Sequence, residues 1–346
     1  MSETTDQFLR RKHWVLRYGE GAAKAAGLHA TQAFNAAAQK IPLDLATKTR
    51  GEVSRIVSAA SALIVIEAVD LTDYWVEEVS AYTAIIAGAA AVPEATRAVV
   101  ADYKRAIGEP YNGKSIHKWT SGIQTEARAA VGAAILSAWA GGETPNQVAD
   151  RISLISGKSA DDARIVARSA TAHLSNQAIE HAYDQNRDII AYKAWLSTLD
   201  GRTTLTCMAR DGKRWTLDNQ PIGHNLAWGS GPGSIHWQCR SASVPVLKAE
   251  ADIGTRASVN YNKATRSKAN STVDGYGRGE QIDGKISYGE WLKNQPEWFV
   301  QDTLGKERAA LFRSGQVKIE QFTNEKGREL TLAELRKRHQ LSVLEK

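Results

Sequence analysis

The chain is poor in several things, and each shortage closes a door. It has two cysteines in 346 residues, Cys207 and Cys239. That excludes a disulfide-stapled scaffold. It has no long apolar run. The longest are "ALIVIEAV" and, after one Thr, "AIIAGAAAV", both well short of the ~18 apolar residues of a membrane span. The opening "MSETTDQFLRRKHWVLRYG" has no apolar core and no cleavage site, so no signal peptide is expected. Only 8 prolines interrupt the chain. No GxSxG or HExxH pattern occurs, so the usual marks of a serine nucleophile elbow and a zinc protease are missing. "GYGRGE" at Gly275 to Glu280 imitates a phosphate loop only loosely. It follows no strand and opens no helix, and we read it as part of an arm.

What remains is an ordinary globular composition, 42% hydrophobic and 24% charged, long enough for more than one core. The net charge of +6 permits contact with nucleic acid without specifying it. The first half reads as helix. From Val53, apolar residues at Ile56, Val57, Ala60, Ile64, Ala68, Leu71, Trp75 and Val79 form one helical stripe. A second helix runs through Ile123, Ala127, Val131, Ile135 and Ala138 and stops at Gly141-Gly142. "TPNQVAD" opens a third, with Thr144 as cap and Pro145 at the first helical position. "SADDAR" opens a fourth, with Ser159 as cap and Val166, Ala170, Leu174, Ala178 and Ala182 as its buried face. Near residue 187 the texture changes to β-branched and aromatic residues, with turn signals at Asp200-Gly201 and Asp211-Gly212. "CRSASVPVL" reads as a strand. Residues 250 to 286 are polar and glycine-rich, as in a linker or extended arm. Short helices follow, one stopping at Gly315 and one opening on the Thr331/Glu334 capping-box pair. The expected fold is α+β. A helical region spans 1–112. Helices and a small turn-rich β unit fill 113–248. An arm covers 249–286, and a helical tail 287–346.

The chemistry-bearing residues concentrate in the β unit: Asp200, Arg202, Thr203, Cys207, Asp211, His224, His236, Cys239 and Arg240. Several uses are open to them. A zinc ion could take Cys207, His224, His236 and Cys239, although only "HWQC" gives a close-spaced pair and Thr204 stands where a first cysteine of a CxxC would be. Cys207 and Cys239 could bridge, against the reducing state of a cytoplasm. His236 or His224 could serve as a base beside Arg240, as in a small nuclease. Or the cluster could be structural, His236 and Arg240 bonding loop carbonyls and the carboxylates of Asp200 or Asp211. We take the structural use: no catalytic residue, no cofactor and no metal. Trp291 and Trp298 are candidate anchors for a partner surface.

The block "WLSTLDGRTTLTCMARDGKRW" followed by "HWQCRSASVPV" resembles the head-morphogenesis family of tailed bacteriophages typified by protein F of phage Mu. Asp200, Arg202, Thr203, Cys207, Asp211, Gly212, His236, Cys239 and Arg240 fill that family's Asp-x-Arg-Thr turn, cysteine, Asp-Gly turn and His-x-x-Cys-Arg closure. The upstream "VARSATAHLSNQAIEHAY" fits its leading helix, and the tail is similar to that of many minor head proteins. The likeness extends over roughly residues 120 to 340. Many members carry CxxC in the first turn and CRC at the end; here Thr204 and Ser241 replace two of the four potential metal-binding cysteines. The resemblance implies a structural minor head protein, assembled in the host cytoplasm and located in the virion. Its expected partners are the portal protein and other head proteins, with packaged DNA nearby and no membrane. It would act in morphogenesis, with DNA packaging or ejection as further roles. The rival functions are a nuclease or toxin-like enzyme built on the Cys207–Arg240 unit, and a DNA-binding internal protein ejected with the genome.

Overall fold

The computed structural model describes residues 3–68, 70–87, 111, 114–248, 255–263 and 278–339. It is an α+β protein. Among the described residues, α1 (Glu3–Ala38), α2 (Arg50–Ala62), α3 (Thr72–Ala87), α4 (Ile116–Gly141) and α5 (Pro145–Gln185) come first. The β unit follows with β1 (Ile190–Leu196), the short helix α6 (Leu205–Arg210), β2 (Arg214–Trp215), β3 (Pro221–Ile222) and β4 (Ala242–Leu247). Then come β5 (Thr255–Asn260), β6 (Arg278–Asp283), α7 (Tyr288–Lys293), α8 (Glu297–Leu304), α9 (Lys306–Arg313) and α10 (Leu332–His339).

The 41-residue α5 is the spine. Its start is where the sequence puts it. Thr144 accepts from the Gln147 amide, the Gln147 side chain returns the bond, and Pro145 sits at the first position. The second helix start expected at Ser159 does not occur. Ser159 lies buried inside α5. No proline breaks the turn before it, and Gly157 costs only about 1 kcal/mol, less than the buried stripe of Val148, Ile152, Ala163, Val166 and Ala170 returns. α1 packs antiparallel along α5. Small residues on both, Ala22, Ala23, Ala26 and Ala30 against Ala160, Ala163 and Ala167, bring the helices close. Gly19 lies against Thr171, and Glu20 receives a bidentate bond from Arg168 at 2.8 and 2.9 Å.

The single stripe from Val53 to Val79 is also broken. α2 ends at Ala62, and Leu63 to Ala68, Asp70 and Leu71 are not helical. Side chains of α4 satisfy this segment's backbone in place of helical bonds. Gln124 Oε1 accepts from the Ile66 amide at 2.9 Å, and Arg128 Nε donates to the Ile64 carbonyl at 2.9 Å. Asp70 then accepts from the Thr72 amide, starting α3. The bend lets α3 swing Tyr74, Trp75, Val79 and Tyr82 onto α1 and α5, in a core that reaches the sheet at Ile190, Ala194 and Val244. α4 stops as expected, at Gly142 with φ 65°.

The sheet is antiparallel throughout, in order β3-β2-β1-β4. β1 is central, and its Lys193 faces Trp215 on one side and Pro245 on the other. The expected arm is corrected where it is described. β5 and β6 form an antiparallel pair from Thr255↔Asp283 to Asn260↔Arg278. The Val259 amide donates to the Leu199 carbonyl, joining this pair to the β unit. The rest of that stretch, 249–254 and 264–277 with Gly275 and Tyr276 of the glycine-rich motif, lies outside the described residues. The tail folds into one core with Tyr261. Trp291 is buried there, and half-buried Trp298 packs edge-on against Phe299. Trp291 therefore has no exposed face with which to anchor a partner.

The loop before β4 crosses α5 very closely. A Cβ added at Gly233 would stand 2.6 Å from the Ala172 carbonyl oxygen, at a φ of +80° that side chains avoid. Gly233→Ala should therefore lower unfolding free energy by at least about 2 kcal/mol, read from the midpoint of urea denaturation. A change within error would mean that this crossing is looser than described.

Candidate functional site

The polar motif closes around one buried ion pair, one partly buried ion pair and one sulfur–imidazole cluster. Asp211, just after α6, is the first centre. Its Oδ1 accepts from the Ser197 amide at 2.6 Å and from Arg256 Nη2 at 2.8 Å. Its Oδ2 accepts from the Tyr288 amide at 2.6 Å and from Arg256 Nη1 at 2.9 Å. Both partners are almost wholly buried, the side chains 2% and 0% exposed. Arg256 Nη2 also donates to the Ser197 carbonyl. One carboxylate thus fixes the end of β1, the start of α7 and strand β5. Gly212 makes the turn at φ +73°, its amide donating to the Trp195 carbonyl at 2.8 Å.

Asp200 is the second centre. Arg240 donates to both its oxygens, at 2.5 and 2.7 Å, and the Arg202 amide donates to Oδ1 at 3.1 Å. Thr203 Oγ1 donates to the Thr198 carbonyl, and Thr198 Oγ1 to that of Arg240. Tyr288 Oη donates to the Asp200 carbonyl at 2.7 Å, so α7 touches both centres. The side chain of Arg202 is exposed; its backbone does the work in this turn.

Cys207 and Cys239 lie between them, in a small core of Trp195, Trp215, Leu226 and Trp228. Both thiols are free and buried, with sulfurs 3.7 Å apart. That is far beyond the ~2.05 Å of a disulfide. His236 Nε2 stands 3.0 Å from Cys207 Sγ and 3.0 Å from Thr204 Oγ1. His236 Nδ1 is 2.9 Å from the Trp237 carbonyl, which can only accept, so Nδ1 carries a proton. The Gly233 amide donates to Cys239 Sγ. Burial pushes the Cys207 thiol well above its ordinary range. Burial also opposes ionisation of Cys239, but bonds from Cys207 and His236 outweigh it and hold this thiol well below that range. Burial likewise acts against charge on His236, yet the bond to Cys239 leaves its pKa raised.

His224 does not join. Its Nε2 bonds the Arg214 carbonyl, its Nδ1 accepts from the Leu226 amide, and its ring lies edge-on to Trp215. The four-ligand set Cys207, His224, His236 and Cys239 is thereby corrected to three. Asp200, Thr203, Cys207, Asp211, His236, Cys239 and Arg240 come together, and Arg202 joins them through its backbone amide. Several contributors carried no signal. Arg256 sat in a polar stretch with nothing to mark it as buried. Arg210 is fully buried, donating to the Ala227 and Thr206 carbonyls and lying over Trp195. Lys12 of α1 is buried in the field of Cys239 and Glu78. Lys12 did leave a trace, a lysine between Phe8 and Val15 on the apolar stripe of α1.

The tail braces this unit. Thr206 Oγ1 donates to the Gly327 carbonyl at 2.7 Å, and the Ala227 amide to that of Glu325 at 3.0 Å. Asp211→Ala should cost about 3–5 kcal/mol by leaving Arg256 charged and unpaired in the interior, measured by urea unfolding. A loss below 1 kcal/mol would show that water reaches Arg256.

No curated protein and no solved structure matches the chain. The family model described as Phage Mu protein F like protein matches residues 129–244. Those residues hold the second half of α4, all of α5, β1 to β3, the first half of β4 and both cysteines, and exclude the tail that the resemblance also took in. Over this stretch the chain is similar to the phage Mu protein F-like family.

Proposed function

We propose that this is a structural minor head protein of a tailed phage, held at the portal vertex or on the inner face of the head, and that it acts in head morphogenesis. The family match over residues 129–244 carries this reading. The site's chemistry supports it. Asp200, Asp211, Cys207 and Cys239 are buried, Arg240 is committed to Asp200, and both ring nitrogens of His236 and of His224 already have partners in the cluster or the loop backbone. A nuclease would leave its base and its anion-binding cation facing a substrate. The portal protein and neighbouring head proteins are the proposed partners, and the virion the proposed location.

Quantitative mass spectrometry of proheads, mature particles and emptied particles of the encoding phage tests this. The protein should be present at low copy in proheads and virions. Its loss on emptying would assign it to the ejected contents, and retention to the head shell or vertex. Absence from every particle would contradict the proposal and return attention to nuclease assays.

A further inference from the structure

We propose that Cys207, His236 and Cys239 hold a divalent cation of the zinc class, with the Thr204 hydroxyl at the fourth corner. Sγ of Cys207, Sγ of Cys239 and a ring nitrogen of His236 all lie within 4.8 Å of one another. The sulfur separation of 3.7 Å is close to the edge, about 3.8 Å, of a tetrahedron with zinc–sulfur bonds of about 2.3 Å. The imidazole is already set for the task. Its Nδ1 proton is engaged by the Trp237 carbonyl, so Nε2 presents its lone pair to the sulfurs. Ligating histidines are commonly fixed this way by a backbone carbonyl. The Gly233 amide donates to Cys239 Sγ at 3.3 Å, a bond that favours the thiolate a metal needs. Thr204 Oγ1, 3.0 Å from Nε2, faces the same point from the start of α6.

Two thiolates and an imidazole select zinc over magnesium or calcium, which take oxygen ligands. The thiolate charges and the dication cancel, so the buried site is left neutral. The ion would clip the start of α6 to the Gly233–Cys239 loop. That is the junction held from its two ends by the Asp200–Arg240 and Asp211–Arg256 pairs.

The test uses the full chain, purified reduced without chelator. Metal analysis and native mass spectrometry should find one zinc per chain. Cobalt(II) in its place should give a thiolate-to-cobalt charge-transfer band. Zinc should slow alkylation of both cysteines in the unaltered chain, a measurement that needs no variant to fold. Thr204→Cys would complete a Cys3His set and should hold zinc against a competing chelator at least tenfold more tightly. Unchanged retention would remove Thr204 from the fourth corner and overturn the assignment as stated. A folded chain that takes up no zinc when it is supplied in excess would overturn the site altogether. So would a Cys207–Cys239 disulfide found in the metal-free native protein.

Discussion

The buried carboxylate of Asp211 is the constraint on which the rest of the molecule's organisation depends. A lone ionised carboxylate in the interior costs many kcal/mol in lost hydration. Here it is offset by four donors on two oxygens, drawn from three separate segments. The chain must therefore bring β1, β5 and α7 to one point or leave a charge stranded. That requirement turns a polar stretch with little apolar content into an ordered strand, and it fastens the C-terminal helices to the β unit. Asp200 repeats the device at the other end of the turn, joined to the first through Tyr288.

The helical body positions this unit by a different physics. Alanine and glycine faces on α1 and α5 allow close approach, and dispersion over a long contact replaces specific polar bonds. α5 runs from the alanine-rich core through to the aromatic and sheet core, with Leu174, Ile179 and Tyr183 meeting β1 and β4. Its Ala172 and Asn176 form the floor under the glycine loop that carries His236 and Cys239 into place. The cluster thus rests on the spine below and on α6 beside it, and the tail at Glu325 and Gly327 covers α6.

Local signals were legible where one residue decides the backbone. The cap at Thr144, the stop at Gly142, the turns at Gly201 and Gly212 and the capping box at Thr331 all follow from single side chains or from φ. The polar motif was legible as a set because its members are close in sequence. Signals failed where distant groups decide. Ile64 and Ile66 continue a helical stripe until Arg128 and Gln124 offer their backbone better partners. Ser159 has a cap's composition, yet burial along α5 outweighs it. His224 and His236 look alike in sequence, and only the fold sends one to the Arg214 carbonyl and the other to the sulfurs. Arg256 was invisible because its role exists only once Asp211 is beside it.

The central claim is that buried polar contacts make the β unit and the C-terminal tail one cooperative piece, built to hold shape. Native-state hydrogen exchange read by mass spectrometry tests it most directly. The account predicts that the amides of β1, β4, α6 and α7 exchange through one opening event, with the same free energy and the same denaturant dependence. If residues 288–335 open separately, at a clearly lower free energy than the sheet, the Asp211 and Asp200 centres do not unite the two parts and the account is wrong.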